Sequence, residues 1–232
     1  MTAMREPEYI PDYHPYDDDD ADEAPGWGAR AAYAAIAGVM ALGVTVMAAD
    51  DDGPSAPPQP ESARQEPAEA DQPSPGSQAQ PLPPAVPTWV SIPSIAVEAP
   101  LTNVGLDPEG WMEAPPQEIQ NLAGWYEGAA APGTPGTAVI VGHVDNAAGP
   151  AVFYGLGAVR LGDSVEVIRE DGVAVRFEIY DIAVYAKGNL PESVYHDTGQ
   201  AELRIITCGG SFEQGSGYTD NVVVFARMTS AS

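Results

Sequence analysis

The sequence predicts a mainly β domain, a barrel or a sandwich, at the C-terminal end of a long non-globular segment. Three observations carry that expectation. Apolar residues alternate with polar ones in the C-terminal part, as in Val173, Val175, Phe177 and Ile179 against Arg176, Glu178 and Tyr180. Short β-branched runs there are separated by turns rich in glycine and proline. Near residue 88 the composition also changes: prolines thin out, and valine, isoleucine and aromatic residues rise.

Taken in order, the chain starts with an acidic head. The formal net charge is −25, from 34 acidic residues against 9 basic ones, which excludes a general nucleic-acid binder that needs a basic face. Much of this charge lies in residues 1–29, where the run Asp17 to Asp20 and its neighbours are opposed by few basic groups. With four prolines and few aliphatics, this tail buries too little to offset ordering entropy, and it is expected to be disordered. Residues 30–49 follow. Ala31 to Ala49 carry no charge, and at about 1.5 Å per residue such a run just crosses a hydrocarbon core of roughly 30 Å. A retained transmembrane anchor is therefore expected. The rival readings are a buried soluble helix, which nothing nearby would pack against, and a cleaved signal peptide ending near Val46-Met47-Ala48. Against cleavage, the preceding segment is long and acidic where a signal peptide is short and basic. Arg30 marks the cytoplasmic side and Asp50-Asp51-Asp52 the outer side, so the C-terminal domain is expected outside the cell membrane. Residues 50–87 are a Pro-rich linker in a Ser, Gln, Ala and Glu background. Proline at that density favours extended polyproline II, a stalk on the order of 100 Å.

Residues 88–230 are long enough for one domain with its own core. Strands are predicted over 88–92, 96–101, 125–127, 137–143, 164–169, 173–180, 182–186, 202–208 and 221–227. Asp171-Gly172 joins two of them in a hairpin, because Asp-Gly tolerates the positive φ angles of a tight turn. Helical content is slight, with short candidates at 116–122, 152–159 and 191–196.

Chemistry concentrates at two strand ends. Cys208, the only cysteine, closes the run Leu203-Arg-Ile-Ile-Thr207 and is followed by Gly209-Gly210. A buried small hydrophobe is the commoner fate of a lone cysteine, whereas a thiol presented at a loop edge is a candidate nucleophile. Thr137, Val139, Val141 and His143 share one face of a strand, with His143 at its end. Should the two strands be neighbours, imidazole and thiol converge: an imidazolium stabilises the thiolate, and the same ring then protonates a leaving amine. The other histidine of this part, His196, remains a second candidate base.

The stretches Gly133-Thr-Pro-Gly-Thr-Ala-Val-Ile-Val-Gly-His143-Val-Asp145, Ala151-Val-Phe-Tyr-Gly-Leu156, Gly162-Asp163 and Leu203-Arg-Ile-Ile-Thr-Cys208-Gly-Gly together resemble a sortase. The Cys-Gly-Gly ending and the closing Asp220-Asn-Val-Val-Val224 are similar to the actinobacterial class F group. The resemblance runs from about Trp89 to Met228. It implies a sortase-type β-barrel of about eight strands with a few short helices, preceded by one transmembrane helix. It further implies a cysteine transpeptidase. Cys208 attacks the threonine carbonyl of an LPXTG-like sorting signal to give a thioester, and His143 serves as general acid and then as base for an amine acceptor from the cell wall or a pilin. The partners it implies are the sorting-signal peptide, that amine and the membrane; no cofactor, metal or nucleic acid is expected.

The chain departs from the family pattern at one point. Sortases usually carry an arginine just after the cysteine or at the start of the last strand, and Gly209 to Val224 contain no Arg or Lys. Thr207, Gly209 and Asn221 are then the candidates for substrate or oxyanion contact, through a backbone N–H after Cys208 and the Asn221 amide. The missing arginine raises an alternative: a catalytically impaired homologue that binds sorting-signal peptides without processing them. An L,D-transpeptidase, another Cys–His enzyme on a β-rich domain, is expected to carry Ser-x-Gly-Cys followed by Arg, which Ile206-Thr207-Cys208-Gly209 does not fit.

Overall fold

Nearly all of the alternating segments become strands of one closed barrel in the computed structural model, which describes residues 56–61, 79–215 and 217–232. The expected acidic tail (1–29), the expected membrane span (30–49) and most of the linker lie outside these residues. No helix among the described residues is long and apolar enough to cross a membrane. The strands are β1 (Pro87–Ile92), β2 (Val97–Val104), β3 (Ala123–Tyr126), β4 (Gly136–Gly142), β5 (Asp145–Asn146), β6 (Gly149–Pro150), β7 (Ser164–Arg169), β8 (Ala174–Ala186), β9 (Ala201–Glu213) and β10 (Gly217–Ala231). Around the barrel the order is β1-β2-β3-β4-β9-β10-β8-β7, and β5 and β6 form a small separate hairpin. Two neighbouring pairs are parallel, β2 with β3 and β4 with β9.

Side chains sort to two sides of this wall. Inside lie Val90, Ile92, Phe177, Leu203, Ile205 and Val224, and the segment after β6 pushes Phe153 and Leu156 into the same core. Full burial of one such side chain stabilises the fold by about 1.5–3 kcal/mol. Outside β4, β9, β10 and β8 a second cluster forms from Val139, Ala183, Tyr185, Ile206, Val223 and Phe225, covered in part by Val194 and Leu190. The central strands are thus buried on both faces, which is why they read as nearly continuous apolar runs.

Three expectations need correction. Residues 173–180 and 182–186 are one strand, β8, rather than two. Phe225 pairs with Asp181 and Ala226 with Ile179, so Tyr180 is the extra residue of a β-bulge. The bulge shifts the inward phase from Val175, Phe177 and Ile179 to Ile182 and Val184, which the sequence shows only as a broken alternation. The β7–β8 turn uses a single positive φ, 79° at Gly172, and Asp171 instead turns its carboxylate to Arg169 and the Val173 N–H. The short helices reduce to 3₁₀ turns at Leu156–Ala158 and Glu192–Val194, with a further one at Pro93–Ile95 and only non-helical turns over 116–122. Gly155 and Gly157 weaken the first of these segments, and runs this short are marginal as helices in any case.

Part of the expected stalk also packs. Ala79 and Leu82 rest on the core, and the Leu82 N–H donates to the Gly133 carbonyl at 2.9 Å. Further upstream Pro57 is buried, and the Gln59 side-chain oxygen accepts from the Gly210 N–H at 3.1 Å. The Pro58 carbonyl lies so close to Gly157 that a Cβ there would stand 1.9 Å from its oxygen. Only a glycine admits this strap. Gly157→Ala is therefore expected to displace residues 57–59 and to speed amide exchange at Gly210, while core amides such as those of Leu203 and Ile205 keep their protection. Hydrogen exchange followed by NMR reads both.

Candidate active site

The site grows out of the β4–β9 pairing. Parallel register runs from Gly136 opposite Ala201 to Val141 opposite Ile206. Continued by two residues, it sets Gly142 beside Thr207 and His143 beside Cys208. The contact that holds this continuation is the Thr207 hydroxyl, which donates to the Gly142 carbonyl at 2.8 Å. Because Val139 and Ile206 belong to the outer cluster, period-two alternation puts His143 and Cys208 on the outer face as well. Asn221 of β10 pairs with Cys208 on one side and with Tyr185 of β8 on the other. His143, Cys208, Asn221 and Tyr185 therefore form a row across four strands, at about 4.8 Å per step.

This row stands at one end of a groove of about 1030 Å³. Val139, Val141 and Ile206 line it on the sheet side, and Trp111, Met112 and Leu190 come from the covering loops. Cys208, His143, Asn221 and Lys187 line it too. His143 is half-buried, and its Nε2 lies 2.8 Å from the Pro115 carbonyl oxygen. A carbonyl only accepts, so Nε2 carries the proton and Nδ1 is the basic nitrogen of the neutral ring. His196 does not line the groove: its side chain is exposed, and its backbone carbonyl accepts from the Thr137 hydroxyl at 2.7 Å.

Burial pushes the Cys208 thiol above its ordinary pKa; the Lys187 ammonium opposes that rise, and the Asp145 carboxylate adds to it. Asp145 stands two residues beyond His143, at the start of β5. It accepts a hydrogen bond from the Tyr218 hydroxyl, which burial and this bond hold well above the usual tyrosine range. Thr207 touches the groove, but its hydroxyl is committed to Gly142, so it ties strands together before it meets any ligand. Gly209 turns toward Val222 on the interior side and is not among the groove-lining residues. Asn221 keeps a place beside the thiol. Among the described residues no arginine lines the groove: Arg204, on the Cys208 face, is buried, paired with Glu202 and set 4.6 Å from the Phe225 ring centroid. Lys187, Pro115 and Tyr218 were missed in the sequence. Only Lys187 left a signal there, as the sole lysine just past a strand.

A family profile described as a sortase domain matches residues 90–229. The chain belongs to the sortase family. The members of that family are cysteine transpeptidases. Among solved structures, this sortase is similar to sortase A from Listeria monocytogenes, with 16% identity over 64% of this chain and 90% of that one at a TM-score of 0.48. A lid mutant of sortase A from Corynebacterium diphtheriae gives 23% identity over 62% and 69% of the two chains, with a TM-score of 0.48. Sortase C-1 from Actinomyces oris gives 20% identity over 61% and 72%, with a TM-score of 0.49. No curated protein matches the chain. Family membership rests on the domain match, which spans the barrel from β1 to β10.

The tie between the two strand ends of this sortase is testable on its own. Thr207→Val keeps the shape but leaves the Gly142 carbonyl without its partner, at a cost of about 1–3 kcal/mol. A urea midpoint lowered to that extent, with Thr207→Ser close to the parent, is the expected outcome.

Proposed function

We propose that this sortase is a membrane-anchored, class F-like cysteine transpeptidase working outside the cell on an LPXTG-like sorting signal. The observation that supports this most is the row of His143, Cys208 and Asn221 at the end of one long, largely apolar groove. In this reading the peptide lies along Val139, Val141 and Ile206 with its threonine carbonyl over Cys208. The Cys208 thiol gives its proton to Nδ1 of His143 as the sulfur adds to that carbonyl, and the tetrahedral oxygen takes hydrogen bonds from the Asn221 amide and from backbone N–H groups. Collapse breaks the peptide bond. His143 gives a proton to the departing amine, and the acyl group stays on sulfur as a thioester. An amine from the cell wall or a pilin then attacks, His143 takes its proton, and the thiol is regenerated. Residues 30–49 supply the anchor, and residues 50–87 supply the linker apart from the stretches that pack on the barrel.

A second reading is the impaired homologue that binds sorting signals without processing them. It draws on the half-buried thiol and on a groove that no arginine lines among the described residues. Incubating the full chain with an LPXTG-type peptide and an oligoglycine acceptor separates the two. A thioester adduct on Cys208 by mass spectrometry, followed by ligated product, is the expected result; peptide binding with no adduct would favour the second reading. Cys208→Ala is expected to abolish the adduct, and His143→Ala to slow product formation by about 10²–10⁴. His196→Ala should leave the rate unchanged.

A further inference from the structure

Cys208 lies in a mostly apolar groove, and a thiolate there needs a positive group at hand. The described arginines of the β9–β10 sheet are engaged elsewhere. Arg204 is buried against Glu202 and Phe225, and Arg227 lies 4.7 Å from the Tyr180 ring centroid. Among the described residues, Lys187 is the one lysine or arginine that lines the groove.

Its placement follows from strand arithmetic. After the bulge, Ala183 and Tyr185 of β8 face the outer cluster, the same face as Cys208. Lys187 continues that phase by two residues. Tyr185 is level with Asn221, and Asn221 with Cys208, so β8 stands two strand spacings, or about 10 Å, from the thiol strand. The Lys187 N–H donates to the Thr219 carbonyl at 2.8 Å, which pins the base of the side chain beside the first residues of β10. The flexible four-carbon stem holds the ammonium beside Gly217 at the start of β10, where a Cβ would stand 3.5 Å from Nζ, at the rim of the groove that Cys208 and Asn221 also line. We propose that Lys187 is the cationic positioning residue of this site, supplying from the end of β8 the positive charge that favours the Cys208 thiolate. This assignment rests on Cys208 being the nucleophile of the proposed transpeptidase.

The groups that face the thiol set the sign of what is measured. His143 comes from the end of β4, Asp145 from β5, Asn221 and Tyr218 from β10, and Lys187 from the end of β8. Asp145 opposes the thiolate, although the Tyr218 hydroxyl hydrogen-bonds it. Lys187 favours the thiolate. Removing the lysine must raise the pH at which sulfur becomes reactive, and removing the Asp145 charge must lower it.

The test is alkylation of the full chain by iodoacetamide as a function of pH, read by mass spectrometry. Cys208 is the only cysteine, so every adduct reports on it. For Lys187→Met the inflection is expected to rise by about one pH unit, with alkylation near neutral pH slowed about tenfold. Lys187→Arg should hold the parent inflection, and Asp145→Asn should lower it. The Lys187 side chain is exposed and its backbone bond survives either substitution, so unchanged thermal melting is expected for both. An inflection unmoved in Lys187→Met, an Arg variant that behaves like Met, or shifts of the same sign in the Lys187→Met and Asp145→Asn variants each overturn the assignment. No peptide is needed for this readout. Failure to cleave a sorting peptide with the shift present removes the transpeptidase reading and leaves Lys187 in place.

Discussion

The parallel pairing of β4 with β9 is the constraint on which the site depends. His143 follows β4 and Cys208 lies within β9, and these strands run the same way, so both side chains come to the same level of the sheet. Had the pair been antiparallel, the residue after β4 would lie at the opposite end from the thiol. Parallel neighbours cannot be joined by a tight turn, and the chain inserts β5 to β8 between them. β10 is antiparallel to β9, and β8 is antiparallel to β10. β8, β9 and β4 therefore share one direction, and the end of β8 delivers Lys187 to the edge where His143 stands. Asn221 enters from the other direction, at the level of Cys208.

The barrel interior decides which way these side chains point. Leu203 and Ile205 are fully buried inside, and with period-two alternation they oblige Arg204, Ile206 and Cys208 to face out. A slip of one residue would bury the thiol in the core and expose two large aliphatics. The same argument applies to β4, where Ala138 and Ile140 face in and Val139 faces out. Core packing thus acts on the chemistry at a distance. It fixes no catalytic contact, yet it fixes the face on which every one of them must be made.

Much of this was legible in the sequence because strands announce themselves locally. The β7 boundaries, the inward set Val175, Phe177 and Ile179, and the strand end just before His143 all follow from alternation and turn residues, whereas the strand end expected at Cys208 does not occur. What escaped was set by partners far away in the chain. The bulge at Tyr180 is defined by what β10 does opposite it, so β8 looked like two strands. Beyond Cys208, β9 continues to Glu213 and returns as β10, although Gly209, Gly210 and Gly217 carry no strand signal. That extension brings Tyr218 to Asp145. Pro115 reaches His143 from a loop 28 positions away, and no local pattern encodes such a contact. Gln59 and Pro57, inside a tract whose composition argues for a stalk, pack because β9 and the Leu156–Ala158 turn offer glycines to receive them.

The electrostatic character of the site follows from the same geometry. A groove lined by valine, isoleucine and tryptophan suits an extended peptide, but its apolar lining favours the neutral thiol. Burial and Asp145 act in one direction on Cys208 and Lys187 in the other, and the first pair prevails. The resting sulfur is accordingly a thiol, poorly nucleophilic until a proton is removed. His143, with Nε2 committed to Pro115, offers only Nδ1 for that task. The positive charge that a family arginine normally brings from the cysteine loop or the last strand enters here from β8.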